Sequence, residues 1–130
     1  VHKNKIIRES INKILGRLPN VILEDPFKYD TMISILRRCY MVITDSGGLQ
    51  EEAPSFGKPL LVLRKVTERK EAIQAGNAKL VGVKTQNIIN EVNKLLNDND
   101  LYKSMSSINN PFGEGNASEK IKNILFEKLF

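Results

Sequence analysis

The stretch Val42-Ile43-Thr44-Asp45-Ser46-Gly47-Gly48-Leu49-Gln50-Glu51-Glu52-Ala53-Pro54 decides how this chain folds. It enters from a fully apolar, β-rich run, Tyr40-Met41-Val42-Ile43-Thr44, that reads as a buried strand. It passes through a hydroxyl and two glycines, and it leaves as a helix over 46–56 with Leu49, Ala53 and Phe56 turned inward.

The same alternation extends in both directions. Toward the N-terminus, Ile7, Ile11, Ile14, Leu15 and Leu18 recur at helical spacing and predict a helix over 5–17. Val21-Ile22-Leu23 reads as a short buried strand. Met32, Ile35, Leu36 and Cys39 fall at i, i+3, i+4 and i+7, one face of a further helix. Toward the C-terminus, Leu60-Leu61-Val62-Leu63 predicts a third strand, 67–75 a loop with a short helix, and 78–83 a fourth strand. Ile88, Ile89, Val92, Leu95 and Leu96 mark a helix that Thr85 is placed to cap. Two helices near 99–107 and 117–128 close the chain, with the turn-rich segment 109–115 between them. Strands that are apolar throughout and alternate with helices predict an α/β fold, a Rossmann-like parallel sheet with helices on both faces.

The central turn also carries chemistry. Backbone N–H groups at a helix start lack an intrahelical acceptor and coincide with the positive end of the helix dipole. Gly47 and Gly48 place no side chain in front of them, so a phosphate or diphosphate can reach the bare backbone. Ser46 can add its hydroxyl, or cap the helix when no ligand is present. The turn follows the carboxyl end of a strand, where open α/β sheets bind ligands. Glu52, four residues after Gly48, lies one turn further along the same face. A carboxylate there repels phosphate but can accept hydrogen bonds from ribose hydroxyls. Glu51 points elsewhere, to solvent or to a base. The bland alternative is a simple helix cap followed by a charged helix surface.

Composition narrows the class. With 130 residues and 41% hydrophobic content, the chain suits one globular domain with a modest core. It holds a single cysteine, Cys39, which excludes a disulfide framework and a cysteine-based zinc site and fits a reducing, cytoplasmic compartment. No apolar run approaches the roughly 20 residues that a membrane helix needs, so no membrane partner is expected. The net charge is +5, but the densest basic group, Arg64, Lys65, Arg69 and Lys70, is interleaved with Glu68 and Glu71. Aromatics are only 6% and tryptophan is absent, so no nucleic-acid partner is expected either. The chain opens at Val1 within what reads as the end of a strand, and we expect it to be part of a longer protein.

Four blocks together resemble one family. Thr44 to Pro54 resembles the signature of the non-hydrolysing UDP-N-acetylglucosamine 2-epimerases, as do Gly57-Lys58-Pro59 before an apolar strand, Arg64-Lys65-Val66-Thr67-Glu68-Arg69, and Asn110-Pro111-Phe112-Gly113-Glu114-Gly115-Asn116-Ala117-Ser118. The blocks fall in the family's order and spacing, and Val1-His2 resembles the strand end before a helix of the family's C-terminal domain. The resemblance implies a GT-B-type enzyme of two Rossmann-like domains, of which residues 1–130 are the C-terminal, UDP-binding one. It implies interconversion of UDP-N-acetylglucosamine and UDP-N-acetylmannosamine by elimination of UDP to a 2-acetamidoglucal and re-addition. It further implies a homodimeric parent in polysaccharide biosynthesis and no metal or redox cofactor.

By position, the resemblance assigns Ser46, Gly47 and Gly48 to the diphosphate and Glu52 to the ribose. It places Arg69 near the phosphates or sugar, where a guanidinium offsets charge building on departing UDP. For Arg69 a salt bridge to Glu68 or Glu71 is the structural alternative. Met32 matches a position that touches uracil through backbone, although the family often has an aromatic there. Phe27 falls where a glutamine is sometimes found and is left unassigned. His2 resembles a histidine implicated in an allosteric site of some members, and is expected to be inert here. No catalytic residue is expected in this chain beyond Arg69, because the acids that move the C2 proton belong to the N-terminal domain. The isolated chain is accordingly expected to be inactive. Lys70 replaces a usual proline, and Phe112 and Glu114 replace tyrosine and aspartate.

Two rival readings stand beside this one. The first is the nucleotide-binding domain of a UDP-sugar glycosyltransferase. The second is a non-catalytic nucleotide-binding or regulatory module, in which Asp45 at a strand end resembles the phosphorylated aspartate of receiver domains. Those domains also need an acidic pocket and a lysine on later strands, and Leu60-Leu61-Val62-Leu63 supplies no match. The plainer role for Asp45 is to form the turn through hydrogen bonds to the backbone.

Overall fold

A computed structural model of the chain describes residues 4–106 and 110–129. His2, Val1 and Asn109 lie outside the described residues. The chain falls into two compact units, residues 1–37 and 38–130.

The first unit holds helix α1 (Lys5–Leu15) and most of α2 (Tyr29–Arg38). Asn4 caps α1, its side chain accepting the Ile6 N–H at 2.9 Å. The helix ends two residues before the predicted boundary, at Gly16, whose N–H closes the last turn on the Asn12 carbonyl. Arg8 of α1 pairs with Asp25 of the segment between the helices. The strand expected at Val21-Ile22-Leu23 is not formed: these residues are neither helix nor strand, and Ile22 is 85% exposed. An apolar run becomes a strand only where a neighbour supplies ladder hydrogen bonds. Among the described residues none does so here.

The second unit is built on a three-stranded parallel sheet, β1 (Val42–Thr44), β2 (Leu60–Val62) and β3 (Ala78–Leu80), in the order β1-β2-β3. Val42 pairs with Leu60, and Leu60 with Ala78. β2 is central, and all three of its residues are buried. Strand alternation sends Leu60 and Val62 to one face and Leu61 to the other. On the first face they meet Ala53, Ala72 and Ala78, with Val42, Ile73, Leu80 and Phe112 packed around them. On the second, Leu61 meets Val81, Leu95 and Met105, with Ile88, Val92 and Leu101 at the margin.

Helices therefore cover both faces, as the apolar strands predict. Helix α3 (Gly47–Glu52), the 3-10 turn Ala53–Phe56 and α4 (Lys70–Gln74) follow β1 and β2. Ala53 and Ala72 from these segments lie against the Leu60 face. Helices α5 (Thr85–Asn97) and α6 (Asn99–Ser106) supply Leu95 and Met105 to the Leu61 face. Helix α7 (Ala117–Leu129) has no buried residue. Among the described residues no helix is long and apolar enough to cross a membrane.

Two local expectations need correction. Thr85 is the first residue of α5 rather than its cap; Lys84 occupies the cap position and makes no side-chain bond. β1 begins at Val42, not Tyr40, because the Val42 N–H bonds the Pro59 carbonyl at the first rung of the ladder. Tyr40 instead stacks on Tyr102 of α6 with ring centroids 4.1 Å apart. Each phenol completes the dock: Tyr40 donates to the Leu95 carbonyl and Tyr102 to the Tyr40 carbonyl, both at 3.0 Å.

Candidate functional site

The turn after β1 is anchored at both sides of Ser46. The Thr44 side chain, buried at the strand end, accepts the Ser46 N–H at 3.0 Å. The Ser46 carbonyl accepts from Gln50 Nε2 at 3.2 Å. Ser46 occupies the cap position of α3 with an extended backbone, φ −74° and ψ 130°, yet its hydroxyl makes no capping bond. The capping role is thus unused, and among the described residues the first-turn N–H groups of α3 are left without a side-chain acceptor. Gly48 is exposed, and an ideal Cβ on it would meet nothing nearer than Ser46 Oγ at 3.9 Å. The glycines leave this backbone open to a ligand.

Arg69 lies over Gly47. A Cβ placed on Gly47 would be 3.5 Å from Arg69 Cζ, 3.6 Å from Nη2 and 3.7 Å from Nε. Three nearly equal distances mean that the guanidinium plane faces the glycine. Its orientation is fixed by Glu51, one helical turn beyond Gly47, which accepts from Arg69 Nε at 2.8 Å. Glu68 stands further off, 3.9 Å from Nη1. Arg69 is therefore ion-paired, chiefly to Glu51 rather than to Glu68 or Glu71, and still over the turn. The reading of Glu51 as paired with a base holds.

Glu52 is half-buried on α3, one turn beyond Gly48, and among the described residues nothing engages its carboxylate. It is an acceptor without a donor, next to a cation-topped turn. Glu68, exposed, has its carboxyl held below the ordinary value of 4.5, first by a backbone N–H bond and then by Arg64 and Arg69. Arg64 pairs with it at 3.3 Å. The densest basic group of the sequence is thus interrupted by carboxylates at contact distance. Asp45 is exposed at the strand end. Met32, half-buried on α2, belongs to the first unit, and its N–H is engaged by the Lys28 carbonyl.

The residue that the apolar pattern passes over is Gln50. It is 1% exposed, the buried residue of α3, while Leu49 and Phe56 are only half-buried. Its amide oxygen accepts the Thr67 hydroxyl at 2.6 Å, and Thr67 is buried too. The Thr67 oxygen in turn accepts the Arg69 N–H at 3.1 Å. The signal was present: Gln50 precedes Ala53 by three residues, on the inward face where a hydrophobe would ordinarily stand.

The remaining sequence blocks brace this region. Gly57 has φ +60° and ends the 3-10 turn; a Cβ there would lie 2.8 Å from the Ser106 carbonyl. Asn110 reaches Ser55 Oγ at 2.7 Å and accepts the Phe112 N–H at 3.0 Å. Phe112, the residue standing where tyrosine is common, packs on the Leu60 cluster.

A sequence profile of the UDP-N-acetylglucosamine 2-epimerases matches residues 1–126, nearly the whole chain. The chain belongs to the UDP-N-acetylglucosamine 2-epimerase family. Among curated epimerases, that of Campylobacter jejuni is 50% identical over 127 residues, covering 98% of this chain and 33% of the relative. The Escherichia coli K12 epimerase is 49% identical over 121 residues, 93% of this chain and 32% of the relative. The chain thus spans about a third of the length of these epimerases. Two solved structures share its fold. The Neisseria meningitidis UDP-GlcNAc 2-epimerase bound to UDP-GlcNAc superposes with a TM-score of 0.90 at 44% identity, covering 98% of this chain and 34% of that one. The S. aureus MnaA–UDP co-structure gives 0.89 at 45% identity, covering 97% and 34%. The Rossmann-like parallel arrangement expected from the sequence is the fold these epimerase structures contain.

Proposed function

We propose that residues 1–130 form the UDP-binding part of an epimerase that interconverts UDP-GlcNAc and UDP-ManNAc by eliminating UDP and adding it back. The observation that carries this reading is the bare Gly47-Gly48 backbone at the carboxyl end of β1, with the Arg69 guanidinium face-on above it. In it, the first-turn N–H groups and the Ser46 hydroxyl bind the diphosphate, and Arg69 offsets the charge that UDP gains as it departs. Glu52, one turn along and unengaged among the described residues, takes the ribose hydroxyls. Met32 is proposed as a uracil contact on family resemblance alone. The sequences named for this family and the two ligand-bound relatives support the substrate class.

The groups that move the C2 proton belong to the two thirds of the relatives that this chain does not span. The isolated chain binds UDP without epimerising the UDP-sugar. The parent is proposed to be a cytoplasmic homodimer in polysaccharide biosynthesis, working without metal or redox cofactor. Calorimetric titration with UDP tests the reading, with Gly47→Asp and Glu52→Ala alongside. Binding that the first variant abolishes and the second weakens is the expected result. Equal UDP affinity in all three proteins would remove the nucleotide from this turn, and epimerase turnover by the 130-residue chain would refute the division of labour.

A further inference from the structure

We infer that Gln50 and Thr67 are positioning residues that place Arg69 over the diphosphate turn, a role resting on the nucleotide-site reading above. Residues 63–69, between β2 and α4, contain neither helix nor strand, so no ladder fixes where Arg69 stands. One buried side-chain bond ties this loop to α3. Thr67 donates its hydroxyl to Gln50 Oε1 at 2.6 Å, and Gln50 Nε2 donates to the Ser46 carbonyl at 3.2 Å. The Thr67 oxygen then accepts the Arg69 N–H at 3.1 Å. Donor follows acceptor without a break from the Ser46 carbonyl to the Arg69 backbone.

The chemistry permits only this direction. The Ser46 carbonyl is an acceptor only, so the Gln50 amide must turn its NH2 toward it and its oxygen toward Thr67. Thr67 then spends its single proton on Gln50 and keeps its lone pairs for Arg69. Glu51 fixes the far end of the side chain through Arg69 Nε at 2.8 Å. Gln50 and Glu51 are successive residues of one helix, one directed inward to the Thr67 hydroxyl of the Arg69 loop and one outward to the Arg69 guanidinium. Any shift of the Ser46 turn therefore shifts both grips on Arg69. Turn and guanidinium move as one body, and the anion meets donors already in register.

The test uses Thr67→Val, which keeps the shape and removes the hydroxyl, and Thr67→Ser, which restores it. Gln50→Met/Thr67→Val serves as a double variant in which neither member of the buried Gln50–Thr67 pair is left facing an unmatched partner. Two quantities are read: the Arg69 Nε–H resonance by nitrogen-resolved NMR without ligand, and UDP affinity by calorimetry. Thr67→Val and the double variant should shift and broaden the Nε–H line and weaken UDP by roughly tenfold or more. Thr67→Ser should restore both. The double variant should lose about as much as Thr67→Val, since the two residues act in series. An unchanged Nε–H line and unchanged UDP affinity in a folded Thr67→Val or double variant would overturn the inference and leave the bond a purely structural one. If the unaltered chain takes up no UDP, the nucleotide reading fails on its own, and the Nε–H line still decides whether Gln50 and Thr67 hold Arg69.

Discussion

Replacing Gly48 with alanine should make this chain more stable and a poorer nucleotide binder. Gly48 lies inside α3 with an ordinary negative φ, since it is not among the glycines in the left-handed region. A Cβ there meets only Ser46 Oγ, at the relaxed distance of 3.9 Å. Nothing in the folded chain demands glycine. Alanine at such a position stabilises by about 0.4–1 kcal/mol, mainly by narrowing the unfolded ensemble. For a chain of 130 residues that is a rise of roughly 1.5–4 °C in melting temperature. Gly57→Ala is the built-in contrast. Its φ of +60° and a Cβ only 2.8 Å from the Ser106 carbonyl make the same substitution strained. The left-handed conformation alone costs about 1–2 kcal/mol before the clash is counted. Thermal melts followed by circular dichroism, with UDP titrations beside them, read both effects. A melting temperature that falls in Gly48→Ala, or UDP affinity that stays intact, would refute the argument that this glycine exists for a ligand.

Two further outcomes follow from titration and burial. Glu91 is held below the ordinary 4.5, first by hydrogen bonding to Lys79 and then to Lys94, at 2.7 and 2.8 Å. Its pKa is lower folded than unfolded, so its contribution is present above 4.5 and fades as pH falls through the depressed folded value. Glu91→Gln should flatten the acid side of the stability profile in melts taken from neutral pH down through the acid range. A profile identical to that of the unaltered chain would deny the shift. Burial pushes the Cys39 thiol above 9.0, with Lys58 opposing only in part. Alkylation by iodoacetamide near neutral pH should be slower for Cys39 than for a free thiol and should accelerate on unfolding; equal rates would contradict it.

How much of this could be read from residues alone depends on the element. The turn at Ser46 was legible because its parts are consecutive: an apolar strand, two glycines and a helix with carboxylates at fixed offsets. The two-sided burial of Leu60-Leu61-Val62 was legible because an unbroken apolar strand has no polar face to give to water. Val21-Ile22-Leu23 misled because periodicity records what a segment prefers, whereas a strand also needs a neighbour's hydrogen bonds. Thr85 misled by one residue, since a threonine suits both a cap and a first helical turn. Gln50 was missed for a different reason. Reading for apolar faces discards polar residues, and the meaning of a buried amide lies in Thr67, 17 residues away in sequence.

The paired tyrosines have a practical consequence. With no tryptophan in the chain, two of its three tyrosine chromophores are Tyr40 and Tyr102, stacked with their planes 19° apart. Because α6 also carries Met105 into the core and sets the Ser106 carbonyl against Gly57, loosening this helix must part the rings. The chain thus contains its own optical gauge of α6 docking, and Tyr29, 68% exposed in the other unit, supplies a solvent reference.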